Sequence, residues 1–152
     1  MILTKKNLAI AFLLAGTAFG AAAQATSPAG LWRTIDDSSK KDKSLVRIVE
    51  TNGVYTGKVE KIVDPDSPKD ATCKECSDDR KDKPIVGMTI ITDVKQDPEE
   101  PGLWNGGLIL DPAAGKTYKV RLKTTDGGKK LDVRGYIGSP MFGRTQTWIR
   151  AE

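Results

Sequence analysis

The sequence predicts an all-β chain, an eight-stranded antiparallel meander that closes into a β-barrel. Three observations lead there. After an apolar opening, no stretch of helical periodicity is long enough to form a helix. Apolar, β-branched runs recur at regular spacing between turn signals. The connections are mostly tight turns, so consecutive runs pair with one another, and a meander of this length escapes exposed edges by rolling until its last strand meets its first.

The strands are expected over residues 30–36, 44–51, 54–63, 85–94, 103–111, 117–125, 130–138 and 144–151. Asn52-Gly53 is the preferred pair for a two-residue type I′ hairpin, because both residues tolerate positive φ. That turn fixes a register in which Thr51 faces Val54, Ile48 faces Gly57 and Val46 faces Val59. Val46, Ile48, Tyr55 and Val59 then share the core side, and Arg47, Lys58 and Glu60 share the other. Asp111-Pro-Ala-Ala-Gly115 and Thr125-Asp-Gly-Gly128 are further tight turns, and Ser139-Pro-Met-Phe-Gly143 is a slightly longer one. Two longer connections remain, residues 64–84 and 95–102. Both are charged and Pro-containing, and both read as surface loops. The first carries both cysteines and is the better candidate for a lid.

In strand seven Leu131, Val133 and Ile137 alternate with Asp132, Arg134 and Tyr136, and the aliphatic set is expected in the core. In strand eight Arg144, Gln146, Trp148 and Arg150 share one side, with Thr145, Thr147 and Ile149 on the other. Either side is compatible with facing inward. Arg144 and Arg150 lie roughly 20 Å apart along the strand, so they serve opposite ends of the barrel. Closure sets strand eight antiparallel to strand one and brings Arg150 to Trp32. A guanidinium over that indole contributes about 0.5–2 kcal/mol and plugs the narrow end.

The chain has 152 residues, 24 Lys and Arg against 20 Asp and Glu, and no histidine. It begins Met-Ile-Leu-Thr-Lys5-Lys6, continues as a nearly uncharged apolar run, and reaches Ala21-Ala-Ala-Gln-Ala. A basic start, an apolar stretch short for a bilayer and small residues at the cleavage positions predict a signal peptide over residues 1–23. Residues 24–152 then form a single barrel domain without a membrane span, periplasmic or secreted. Lys5 and Lys6 carry two of the four excess positive charges. The remaining excess is mild and dispersed, which argues against a nucleic-acid partner.

Cys73-Lys-Glu-Cys76 reads by default as a disulfide in an exported protein. In the chain-entropy model so short a loop contributes only about 2 kcal/mol, which stiffens a loop more than it holds a domain together. A redox reading lacks the helix amino terminus that activates one thiol. A metal reading lacks a second ligand pair.

Gly30-Leu-Trp32 opening the first strand, with Arg150 late in the last, resembles the signature of lipocalins and related calycin barrels. A longer series of motifs resembles the bacterial secreted family called domain of unknown function 2147. It comprises Gly30-Leu-Trp32, Gly57-Lys-Val-Glu-Lys-Ile-Val63, Cys73-x-x-Cys76, Gly87-Met-Thr-Ile-Ile, Trp104-Asn-Gly-Gly107 with Asp111-Pro, Gly115-Lys-Thr-Tyr118, Arg134-Gly-Tyr136-Ile-Gly138 and Gly143-Arg-Thr-Gln-Thr-Trp148. The resemblance implies a small exported β-barrel and carries over no catalytic residue.

The absence of histidine excludes Ser-His-Asp and Cys-His catalysis and removes the commonest zinc ligand. Asp93, Glu99, Glu100 and Asp111 fall mostly in loops and turns, where acids are expected without catalysis. An enzyme is therefore the least supported reading, and no catalytic residue, metal or cofactor is implied. The first expectation is a small-molecule binding module of the cell envelope, with Arg144, Gln146, Trp148 and Tyr118 lining the site and an anionic or amphipathic ligand. Inward arginine needs a carboxylate, carbonyls or an anion as partner. The alternative is a barrel filled by its own side chains, whose charged loops dock on or inhibit an envelope protein.

Overall fold

Each of the apolar runs becomes a strand, and each strand hydrogen-bonds to its neighbours in chain order. The computed structural model describes residues 26–152; the expected signal peptide, residues 1–23, and its cleavage site lie outside the described residues. The strands are β1 (Gly30–Ile35), β2 (Asp42–Thr51), β3 (Val54–Ile62), β4 (Thr89–Gln96), β5 (Leu103–Asp111), β6 (Lys116–Thr125), β7 (Lys130–Tyr136) and β8 (Gly143–Arg150). All pairings are antiparallel, and β8 returns to β1, so the sheet closes as a barrel. The described residues hold no helix long and apolar enough to cross a membrane.

The β2–β3 hairpin has the register its turn dictates. Asn52 and Gly53 both take positive φ (52° and 79°), and Thr51 pairs with Val54, Ile48 with Gly57 and Val46 with Val59. A bulge between Leu45 and Val46 then shifts the ladder by one residue. Inward-pointing side chains of neighbouring strands meet in layers. Val46, Ile48, Ile91, Val94, Val120, Leu122 and Leu131 are 0–1% exposed. Curvature is built in at Trp104–Gly107, where the β5–β6 ladder is irregular. A side chain at Gly107 would overlap the Thr92 carbonyl and Val94, so this corner closes only around a glycine.

Three expectations are corrected. Residues 85–88 do not begin β4. They form a turn in which the Gly87 N–H donates to the Val59 carbonyl and the Met88 N–H to the Ile85 carbonyl, so the strand starts four residues later. Ile137 is not core: β7 ends at Tyr136, and Ile137 is 69% exposed in the following turn. Alternation stops applying where the ladder stops. The 64–84 connection is not simply a surface loop, because the Cys73–Cys76 disulfide is buried within the core cluster. The Cys73 N–H and carbonyl bond across the loop to Lys83 and Asp82, and Thr72 forms a bridge with Pro84.

Successive connections of a meander alternate between the two ends of a barrel. The β2–β3, β4–β5 and β6–β7 connections gather at one end with both described termini. The β1–β2, β3–β4, β5–β6 and β7–β8 connections gather at the other. This alternation separates a closed floor from an open mouth.

Candidate ligand-binding site

Trp32 and Arg150 face each other in the β1–β8 ladder. The Arg150 guanidinium carbon lies 4.1 Å from the centre of the fully buried Trp32 ring. Its nitrogens donate to the carbonyls of Gly128 (2.6 Å), Ala29 (2.9 Å) and Ser27 (3.0 Å), and the Trp32 indole N–H donates to the Pro28 carbonyl (2.8 Å). Burial pushes the arginine below its ordinary pKa. Any side chain at Gly30 would collide with the guanidinium. One cation thus ties the amino-terminal segment, the β6–β7 turn and the end of β8 together, and it seals the floor.

The mouth leads into a cavity of about 910 Å³. The barrel is therefore not filled by its own side chains at this end. Val59, Ile90, Ile109, Val133 and Trp148 give the cavity an apolar wall, while Thr34, Ser44 and the Asp36–Asp37 corner add polar groups on the β1–β2 side. Tyr118 lies on the wall from β6, opposite Ile109 and next to Gly135 of β7.

Strand eight runs through both regions. The Arg144, Gln146, Trp148, Arg150 side is the inward one: Trp148 is 3% exposed, while Thr145 and Thr147 face solvent. Pairing with β7 places Trp148 opposite Leu131, Gln146 opposite Val133 and Arg144 opposite Gly135, which steps from core to wall to lip. A polar chain follows the same path. The Trp148 indole N–H donates to Gln146 Oε1 (3.2 Å), Gln146 Nε2 donates to Asp37 Oδ2 (2.8 Å), and Arg144 Nε lies 3.4 Å from that oxygen. The two neighbours fix the amide orientation, since one only donates and the other only accepts. Four of the expected site residues are thus on one cavity: Gln146, Trp148 and Tyr118 on the wall, and Arg144 at the lip with its side chain 72% exposed.

Asp37 is the member that sequence reasoning missed. It lies in the β1–β2 connection, 109 residues from Gln146, and only closure brings them together. Two neighbouring acids in a Ser-rich turn carry no signal of that partner. The adjacent Asp36 accepts from the backbone N–H groups of Ser39 and Ser38, which hold its carboxyl below the usual range.

The disulfide loop forms another part of the mouth. Ile85 and Ala71 of that loop reach the cavity. The loop seats against the β5–β6 turn: Gly115, at φ 64°, leaves no room for a side chain beside the Glu75 carbonyl, and the Arg80 guanidinium reaches Thr117 Oγ1 (3.4 Å). Among the described residues no cluster of acidic or sulfur side chains could hold a metal ion.

No curated protein matches the sequence. Among solved structures, the chain is similar to "Protein HP1028 from the human pathogen Helicobacter pylori belongs to the lipocalin family". That similarity has a TM-score of 0.71 and 23% identity, and it covers 83% of this chain and 84% of that one. The barrel is thus lipocalin-like in fold. A model of the family described as "Uncharacterized protein conserved in bacteria (DUF2147)" matches residues 30–150, from the first residue of β1 to the last of β8, and the chain belongs to that family.

Proposed function

We propose that the protein is a small-molecule binding module of the cell envelope, exported by cleavage of residues 1–23 and working as the single domain 24–152. One observation carries this reading: the cavity of about 910 Å³ is within the size range of drug-sized ligand sites, apolar in depth and polar at its rim. The Cys73–Cys76 disulfide suits an oxidising compartment.

The wall favours an amphipathic ligand over a small anion. Arg144 and Gln146 already share Asp37, so an anion must displace a carboxylate to gain the guanidinium. An apolar body against Val133, Ile90 and Trp148, with a hydrogen-bonding head at Asp37 and Arg144, uses the site as it is built.

The test uses 8-anilinonaphthalene-1-sulfonate, an amphipathic fluorescent probe, with palmitate as competitor. Uptake is expected to be saturable at one site per chain and displaced by palmitate. Val133→Trp and Ile90→Phe each fill part of the wall; each should weaken uptake tenfold or more while far-ultraviolet circular dichroism and a cooperative urea transition show the native fold. A folded protein with no saturable uptake, or uptake untouched by both variants, refutes the reading.

A further inference from the structure

We propose that the mouth of the barrel docks on an anionic lipid surface, through the apolar tip of the 137–142 turn and a basic strip on the outer face of β6 and β7. Ile137, Met141 and Phe142 are 69%, 79% and 72% exposed, more than any other large hydrophobic residue among those described. Single exposed apolar residues are ordinary, whereas three on one turn require a reason.

The turn is built to enter an apolar phase. The Phe142 N–H donates to the Ser139 carbonyl (2.9 Å), and the Arg134 guanidinium donates to the carbonyls of Pro140 (2.7 Å) and Met141 (3.4 Å) and to Thr145 Oγ1 (2.9 Å). The carbonyls nearest the tip keep their partners when water leaves. The same arginine sets a positive charge just behind the apolar side chains, the depth at which headgroup phosphates sit.

The strip extends that charge. Alternation puts Lys119 and Arg121 on the outside of β6, where Lys119 pairs with Tyr136 and Arg121 pairs directly with Arg134. Like charges opposite one another on a sheet repel. The acid nearest Arg121 is Glu100, at 3.8 Å, and neither Lys119 nor Arg134 has an ion pair among the described residues. Anionic headgroups would relieve this repulsion.

Shape favours a bilayer over a protein partner. Three exposed side chains on one turn offer far less than the roughly 800 Å² per partner of a standard protein interface, while a bilayer needs no matching surface. Ile137 and Phe142 also border the cavity, so the docked tip and the cavity wall share one apolar surface. Docking needs no bound ligand, so vesicle binding and ligand uptake are measured separately.

The experiment is flotation of the protein with vesicles of phosphatidylcholine alone and of phosphatidylcholine with one-quarter phosphatidylglycerol. Binding to the anionic vesicles is expected to be at least tenfold tighter. Met141→Ser with Phe142→Ser should weaken it about tenfold or more, and Ile137→Ser should add to the loss. Lys119→Glu should weaken binding about fivefold or more on anionic vesicles only, as expected for a charge near such a surface. Near-ultraviolet circular dichroism of the buried tryptophans reports folding, and Val133→Trp should leave vesicle binding unchanged. Absence of binding to either vesicle, or binding indifferent to the tip variants, overturns the proposal. So does self-association abolished by Phe142→Ser in place of vesicle binding, because the tip is then a contact between copies of the chain.

Discussion

Arg150→Ala tests whether closure depends on one side chain. The substitution removes three hydrogen bonds to carbonyls at 2.6–3.0 Å and a guanidinium 4.1 Å above an indole. Hydrogen bonds to a charged group contribute about 1.5–3 kcal/mol when dry, but water can replace part of this at a half-buried site, so about 1 kcal/mol each is the better figure. The stack adds about 0.5–2 kcal/mol. A loss of about 3–5 kcal/mol is therefore expected, a large share of the 5–15 kcal/mol that holds a typical domain. At about 3–5 °C per kcal/mol for a chain of this size, Tm should fall by about 10–20 °C. Urea titration followed by tryptophan fluorescence measures the loss. Arg150→Lys separates its parts: an ammonium can stay over the indole but cannot reach three diverging carbonyls, so it should recover no more than about half. If Arg150→Ala lies within about 1 kcal/mol of the parent, water is satisfying those carbonyls and the floor does not depend on the guanidinium.

Three further outcomes follow from the same geometry. Gly115→Val forces a side chain into the Glu75 carbonyl at a position with φ 64°; it should undock the disulfide loop, seen as faster hydrogen exchange across residues 64–84 and easier reduction of Cys73–Cys76, with the barrel strands still protected. The two most buried tryptophans should respond differently to phenylalanine: Trp32 loses its bond to the Pro28 carbonyl, whereas the buried Trp104 N–H has no partner among the described residues, so Trp104→Phe should cost about 1–2 kcal/mol less in urea titration. Stability should be flat between about pH 5 and 8, with no histidine to titrate, and should decline in acid. Hydrogen bonds hold Asp36, Glu60, Asp64 and Asp97 below the ordinary carboxylate range, and the Arg80 guanidinium brings Asp78 to about 2. These folded pKa values lie below the unfolded ones, so their contribution is complete above about pH 5 and is lost as pH falls toward 2. A thermal melt series from pH 8 to 2 checks both halves.

Local patterns carried most of the fold because each is decided within a few residues. Asn52-Gly53 admits only one hairpin geometry, and the pairing of Val46 with Val59 follows from it without any tertiary information. Closure followed from the need to remove edges, and it put Trp32 opposite Arg150. Patterning failed where the ladder ends. Ile137 continues an apolar alternation past Tyr136, but a side chain is core only while its strand has neighbours on both sides. Ile85 and Met88 read as strand because they are apolar. Their burial comes from packing against the barrel, and their backbone bonds make a turn onto Val59.

The site was legible only to the extent that strands carry it. Gln146, Trp148 and Tyr118 occupy the wall because pleating fixes their direction once the inward face is known, and burial of Trp148 decides that face. The lip is different, since it is made by loops whose positions depend on closure. Arg144 read alone is a cation waiting for an anion, but in the folded chain Asp37 has come across from the β1–β2 connection to meet it. That carboxylate changes what the site can select. With Arg144 unpaired, a small anion would gain a guanidinium outright; with Asp37 present, it competes with a carboxylate that Arg144 and Gln146 already share and meets that carboxylate's like charge. Selection then passes to the apolar wall, where affinity grows with the surface a ligand removes from water. Asp37→Asn should accordingly raise the affinity of anionic amphiphiles over neutral ones of equal length, measured by competition against 8-anilinonaphthalene-1-sulfonate. Equal affinities before and after the substitution would mean that the lip does not take part in selection.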